Sequence, residues 1–351
     1  MKKAAVIGAG SWGTALAMVL ADNGHEVKLL SRTEKHADTI NKTHKNTRYL
    51  SGVSLPESIK AFSSMEEAVS GADFIVLVVP TKAMREVLPK LKPFISENAV
   101  LVHASKGIEP ESHMRISEII AEELDNRAVV CLSGPSHAEE VCKRQPTTVT
   151  CSSLHMDLAE EVQDLFMNQS FRVYTNPDLI GVELGGALKN IIAIGSGMTS
   201  GLGFGDNARA ALMTRGLAEI SRLGVKLGAN PLTFSGLSGL GDLIVTCTSF
   251  HSRNWRAGNM IGKGMSVSQT ENEMGMVVEG VRTTKAAYQL SEKYHIDMPI
   301  TRELYAVLFE DKDVEEAVEA LMGRVKKKEV EELMRGQTSS MGKDPLDHFE
   351  P

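Results

Sequence analysis

The chain has 351 residues, of which 42% are hydrophobic and 24% charged, and a formal net charge of −7. Its length exceeds the size at which a single core usually stops growing, so two domains are the default for an ordinary globular composition. The net negative charge argues against a general nucleic-acid partner, and no apolar run reaches the roughly 18 residues that span a membrane.

In chain order, Lys2 and Lys3 precede a short apolar run at residues 4–8. Gly8 and Gly10 break that run early, which predicts a first β-strand rather than a signal peptide. Gly8-Ala9-Gly10-Ser11-Trp12-Gly13 follows, and residues 14–23 read as a helix. A G-x-G-x-x-G turn between a strand and a helix is the cradle for a dinucleotide pyrophosphate. The first glycine permits the turn, the second admits backbone close to the phosphates, and the third lets helix and strand pack; the helix N-terminus attracts the anion. Further strands are predicted at 26–31, 74–79, 100–104 and 128–132, with helices at 65–70, 82–91 and 112–123. The continuous apolar run Phe74-Ile75-Val76-Leu77-Val78-Val79 suits a parallel sheet buried on both faces, and alternating β and α units predict a doubly wound sheet. Weaker strands at 147–151 and 171–174 are assigned to the same domain.

After Tyr174 the pattern turns helical, starting with Asn176 as cap and Pro177 in the first turn. Helices are predicted near 178–199, 207–227, 254–263, 279–294, 299–309, 313–321 and 327–334, with a flexible glycine-rich break at 236–241. The expected organisation is an α/β Rossmann-type doubly wound domain over 1–178, an all-α domain over 179–335 and a disordered tail over 336–351. The four cysteines lack zinc or C-x-x-C spacing, which fits reduced, buried thiols in a cytoplasmic protein.

The second strand ends in Ser31-Arg32-Thr33 with no carboxylate to bind a ribose 2′-hydroxyl. Arg32 could stack on adenine or hold a 2′-phosphate with help from Ser31, which favours NADP or dual NADP/NAD use. Lys106 follows the strand at 100–104, at the sheet edge where such folds bind ligands. Lys189 stands in a long apolar helical run, and its stem should lie over Gly185 and Gly186, leaving room for a ligand. Asp242 closes the Gly236–241 break, either as a helix cap or as a site carboxylate. Ser252, Arg253 and Asn254 begin a helix and together suit an anion such as a phosphate monoester. His251 beside them is the one histidine of interest. Gly258 to Gly264 resembles a P-loop but has the wrong spacing.

Taken together, the stretches GAGSWGTALA, VVPTKAMREVL, HASKGIEP, LSGPSHAEEV, VELGGALKNIIAI, GLSGLGDLIVTCTS, HSRNWRAG and MVVEGVRTTKAA resemble the bacterial NAD(P)-dependent glycerol-3-phosphate dehydrogenases, in family order and over nearly the whole chain. The resemblance implies that Lys189 is the proton donor and acceptor, and that Lys106 touches substrate and cofactor. It implies substrate contacts at Gly134, Ser136, Asp242, Ser252, Arg253 and Asn254. Cofactor contacts are implied at Ser11, Trp12, Arg32, Tyr49, Ala138, Arg253, Val277 and Glu279, beside the turn glycines Gly8, Gly10 and Gly13. It implies interconversion of dihydroxyacetone phosphate and sn-glycerol 3-phosphate, feeding glycerophospholipid synthesis, by a homodimer that takes a small-molecule substrate without a metal, nucleic acid or membrane insertion. The competing readings are another hydroxyacid dehydrogenase with a helical second domain, which would not need the anion site, and a non-catalytic NADP-binding sensor, which would not need Lys106, Lys189 and Asp242.

Overall fold

The computed structural model describes residues 1–275 and 277–326. The predicted helix at 327–334 and the predicted tail at 336–351 lie outside the described residues.

The N-terminal part is a β/α alternation: β1 Lys3–Ile7, α1 Ser11–Asp22, β2 Glu26–Leu30, α2 Glu34–Thr43, β3 Ile59–Phe62, α3 Met65–Val69, β4 Phe74–Leu77, α4 Met84–Leu91, β5 Val100–His103, α5 Ile116–Glu123, β6 Val129–Ser133, α6 Ala138–Val141, β7 Thr147–Ser152, α7 Met156–Phe166 and β8 Phe171–Asn176. The strands form one sheet in the order β3-β2-β1-β4-β5-β6-β7-β8. All neighbours pair in parallel except β6 and β7, which run antiparallel. Strand alternation divides β1 between two cores. Ala4 and Val6 join a cluster with α1 and α7, while Ala5 and Ile7 join one with α4 and α5. The sheet is therefore covered on both faces, which its continuous apolar strands require. Chain order reverses between β1 and β4, where open α/β sheets bind ligands beyond the carboxyl ends of the strands.

The rest is helical: α8 Leu179–Gly201, α9 Asp206–Lys226, a 3₁₀ turn Pro231–Ser235, a π-helical turn Leu237–Gly241, α10 Asp242–Thr248, α11 Arg253–Gly262, α12 Val267–Met274, α13 Glu279–Tyr294, α14 Pro299–Phe309 and α15 Val314–Met322. The start of α8 corrects the sequence reading: Asp178, not Asn176, caps it by accepting from Gly181 N at 2.9 Å, while Asn176 accepts from Asp178 N. Residues 181–199 of α8 are all buried, making it the axis of the third core. Among the described residues α8 alone is long and apolar enough to cross a membrane, and 94% of that window is buried inside the protein.

Glycines set how closely α8 and α11 cross. A Cβ at Gly201 would stand 2.6 Å from Asn259 O, and one at Gly197 or Gly258 would run into the facing helix backbone. Gly258 and Gly262 of the run that resembles a P-loop are thus packing surface, and Gly264 lies in a turn with φ +93°. The break at 236–241 is likewise no flexible loop, since Ser238 and Gly239 are buried in the π-helical turn against Phe234 and α8. Elements for which the sequence reading gave no range are β3, α2, α6, α7, α10 and α12; it also gave no antiparallel sense to β7 and β8.

Candidate active site

At the carboxyl end of β1 the chain turns through Gly8, whose φ of +120° disfavours any side chain, and whose Cβ would sit 2.5 Å from Val78 O just beyond β4. Gly13 packs against Gly8 O, whereas Gly10 has no heavy atom within 4 Å of a would-be Cβ. Two glycines therefore close the strand–helix joint and one leaves an open face. α1 starts there with no side-chain cap on its first turn, so its free N–H groups and positive end suit a pyrophosphate. Ser11 Oγ donates to Tyr49 O at 2.8 Å, tying the loop after α2 to this helix start. Trp12 is half-buried, with its indole N–H unpartnered.

Arg32 is exposed just past β2. The expected help from Ser31 is overturned. Ser31 is 1% exposed and its hydroxyl lies 2.8 Å from His36 Nδ1, while His36 Nε2 lies 3.0 Å from Asn46 Oδ1. Asn46 Nδ2 donates to Ala9 O and Thr14 Oγ1, so Asn46 Oδ1 is left to accept from His36. His36 Nδ1 then accepts from Ser31. The Ser31 hydroxyl is engaged inside this strap and does not face a ligand.

Glu279 opens α13 with Oε1 accepting from Thr81 N at 3.2 Å, and its buried Oε2 has no hydrogen-bond partner. Burial raises its carboxyl above the ordinary range, against the pull of Thr81 and of Arg253. Val277 is half-buried just ahead of it. Ala138 is the first residue of α6, and Gly134 and Ser136 precede it in the turn after β6, where Ser136 Oγ donates to Gly134 O.

Three of the charged residues singled out in the sequence meet at one point. Lys189 Nζ, from α8, is 2.5 Å from Asp242 Oδ1 and 2.5 Å from Thr246 Oγ1. Lys106 Nζ, from the loop after β5, is 2.5 Å from Asp242 Oδ2 and donates to Gly134 O at 3.0 Å. Asp242 is 1% exposed. One carboxylate thus holds two ammonium groups, one from each half of the chain. Burial pushes the Lys189 ammonium down to about 8; Asp242 pulls it back up and Lys106 pushes it further down. Burial is thus the larger cause of the lowering, and Lys106 adds to it.

The room expected over Gly185 and Gly186 is filled. A Cβ at Gly185 would stand 2.7 Å from Ser238 O, and one at Gly186 would stand 2.6 Å from Ser133 Oγ and 3.5 Å from the Lys106 stem. These glycines let the π-helical turn and Lys106 reach Lys189. Thr246, one turn after Asp242, was missed; its hydroxyl donates to Asp242 O at 2.6 Å and therefore presents a lone pair to Lys189. A small hydroxyl in an apolar run carries no sequence signal of its own.

Ser252 caps α11 by accepting from Trp255 N at 3.2 Å. Asn254 is buried with both ends engaged: Nδ2 donates to Asn190 Oδ1 and Oδ1 accepts from Gly280 N, each at 2.9 Å. Of this trio only Arg253 is exposed. Asn254 joins α8, α11 and α13, so Arg253 is held in register with Lys189. His251 is exposed, with its ring 5.7 Å from that of His137. His137 Nε2 is 3.3 Å from Val245 O in α10, and burial lowers its pKa. Among the described residues no group of three or more His, Cys, Asp or Glu could hold a metal, and all four cysteines are free and buried.

The model of the NAD-dependent glycerol-3-phosphate dehydrogenase N-terminus matches residues 3–159, and that of the C-terminus matches 178–319. Glycerol-3-phosphate dehydrogenase [NAD(P)+] of Shouchella clausii is 64% identical over 95% of this chain and 100% of its own length. That of Bacillus velezensis is 63% identical over 95% of this chain and 98% of its own. The crystal structure of glycerol-3-phosphate dehydrogenase from Coxiella burnetii superposes with a TM-score of 0.88 at 40% identity, covering 92% of this chain and 99% of that one. The PanE/ApbA family ketopantoate reductase from Ralstonia eutropha, at 17% identity and a TM-score of 0.58, shares the fold alone. With both halves matched in order and the relatives covered end to end, the chain belongs to the NAD-dependent glycerol-3-phosphate dehydrogenase family.

Proposed function

We propose that this chain interconverts dihydroxyacetone phosphate and sn-glycerol 3-phosphate, using NAD or NADP, and so supplies glycerol 3-phosphate for glycerophospholipid synthesis. The observation that carries the reading is the buried Lys189–Asp242–Lys106 set at the carboxyl edge of the sheet. The open face at Gly10, the uncapped start of α1 and the unpartnered Trp12 indole fit a dinucleotide. Gly8, Gly10, Ser11, Trp12, Gly13, Arg32, Tyr49, Lys106, Ala138, Arg253, Val277 and Glu279 are the residues we assign to it. When bound, the reduced nicotinamide supplies the hydride that the carbonyl carbon receives.

The chain's own groups handle the proton and the phosphate. Lys189 gives its Nζ proton to the developing alkoxide during reduction and takes it from the substrate hydroxyl during oxidation. Asp242 keeps Lys189 and Lys106 in place, and its position beside both is consistent with a contact to the hydroxyl end of the substrate. Lys106, Gly134 and Ser136 line the same end. Arg253, steadied through Asn254 and Ser252, binds the phosphate, which fixes the carbonyl against Lys189. Arg32 alone at the end of β2 favours NADP over NAD. We further propose a cofactor domain over 1–178 and a substrate domain over 179–335, and a cytoplasmic homodimer. The direct test is a spectrophotometric assay with dihydroxyacetone phosphate and either NADPH or NADH. Cofactor oxidation that needs the phosphorylated ketone supports the reading; none with either cofactor refutes it.

A further inference from the structure

A second buried charged cluster lies away from the reacting groups, and the mechanism above does not use it. Glu183 of α8 is buried, with its carboxylate fully engaged. Oε1 accepts from Ser117 N at 2.8 Å and lies 3.2 Å from His103 Nε2; Oε2 accepts from Ser117 Oγ at 2.6 Å and from Arg115 Nη1 at 2.5 Å. Burial alone would raise this carboxyl, but His103, Arg115 and Ser117 together hold it below the ordinary range. His103 is the last residue of β5, and Arg115 and Ser117 stand at the start of α5. The cluster therefore joins the sheet half to α8.

Its placement along both elements ties it to the chemistry. Glu183 precedes Lys189 on the same helix by six residues, ~9 Å of axial rise. His103 precedes Lys106 by three residues, at most about 10 Å of chain. α8 is thus tied to the sheet half at two places: at Glu183, hydrogen-bonded to Arg115 and Ser117 with His103 Nε2 3.2 Å away, and at Lys189–Asp242–Lys106. Asp242 sits on a third element, α10, so its link between Lys106 and Lys189 is indirect, whereas Glu183 reaches the start of α5 directly from α8.

We propose that Glu183, with His103 and Arg115, is a positioning residue that sets how closely Lys106 approaches Lys189. This rests on Lys189 being the acid/base group. If the anchor is loosened, Lys106 recedes and repels the Lys189 ammonium less, so the Lys189 pKa rises. The other groups facing Lys189 are Asp242, Thr246, Cys247 and His137, and none belongs to the anchor.

The test uses full-length Glu183→Asp, which keeps the charge but withdraws it by one methylene, and Glu183→Gln, which keeps the length but loses the charge. Acting through space alone, loss of the negative charge in Glu183→Gln would lower the Lys189 pKa, opposite to the positional effect. We expect both variants to fold, to keep KM for the cofactor within about twofold, and to lose on the order of tenfold in kcat. The pH midpoint of glycerol 3-phosphate oxidation should move upward in both. Folded variants with wild-type kcat and an unmoved or lowered midpoint would overturn the proposal. So would failure of both to fold, which would make the cluster a folding element only. Lys189→Ala, assayed alongside, separates the two claims: wild-type turnover there removes the acid/base reading, whereas an inactive Lys189→Ala beside unaffected Glu183 variants removes this inference alone.

Discussion

Lys189 is the residue to which we assign the acid/base chemistry. A lysine at its ordinary pKa of about 10.4 donates a proton readily at neutral pH but rarely accepts one. Burial, which brings Lys189 to about 8, puts both roles within reach. Lys189→Met should reduce kcat in both directions by roughly 10²- to 10⁴-fold while cofactor affinity holds; turnover near wild type would remove the assignment. Asp242→Asn removes the anion shared by two buried ammonium groups. It should lower the Lys189 pKa and destabilise the fold by about 3–5 kcal/mol; urea unfolding and the pH midpoint of oxidation read the two effects separately. Arg253→Ala should raise KM for the phosphorylated substrate by at least about tenfold with a smaller change in kcat, and an unchanged KM would refute phosphate binding there. Lys189 was visible in the sequence as a charge inside an apolar helical run, Lys106 by its place after a strand and Asp242 by its place at the end of a glycine-rich break. Their convergence on one carboxylate was not visible, since it depends on three elements far apart in the chain. Ser31 shows the reverse: its place at the strand end suggested a ligand contact, but His36 and Asn46, outside any motif, draw it inward.

At the scale of elements, the α8–α11 crossing sets the position of Arg253 relative to Lys189. It brings Asn254 to Asn190, the neighbour of Lys189, and the crossing is possible because glycines face each other across it. A Cβ at Gly197 or Gly258 meets backbone of the partner helix, which cannot rotate away as a side chain can. Gly197→Ala should therefore destabilise by about 1–3 kcal/mol, seen as a lower melting temperature, and an unchanged melting temperature would contradict this packing. The sequence resolved the long elements well, because α8, α9, α13 and the central strands repeat their pattern over enough residues. It missed β3 and α6, which are four residues each, and also α7 and α12, which are eleven and eight. It also missed the antiparallel sense of β7, because a strand's burial pattern is the same in either direction. The glycine break at 236–241 reads as flexible from composition, yet packing against Phe234 and α8 winds it into a π-helical turn.

In the whole molecule a sheet half carries the glycine turn that we assign to the cofactor, and a helical half carries Lys189, Asp242 and Arg253. The glycine turn and the lone Arg32 were readable from the first residues onward, whereas the joint between the halves was not. That joint consists of pairs such as Glu183–His103, Lys106–Asp242 and Glu279–Thr81, each linking residues distant in sequence. Arg32→Ala should weaken NADPH more than NADH, and equal losses in KM would show that Arg32 does not read the 2′-phosphate. The central claim is that one buried lysine donates the proton in one direction and accepts it in the other. Reduction needs Lys189 charged and so should fall as pH rises through about 8, while oxidation needs it neutral and should rise through the same value. Initial rates of both directions, measured on the same enzyme from about pH 6 to about pH 10 with saturating substrates, test this most directly. Opposed limbs that cross near a common midpoint are predicted; parallel profiles in the two directions would contradict it.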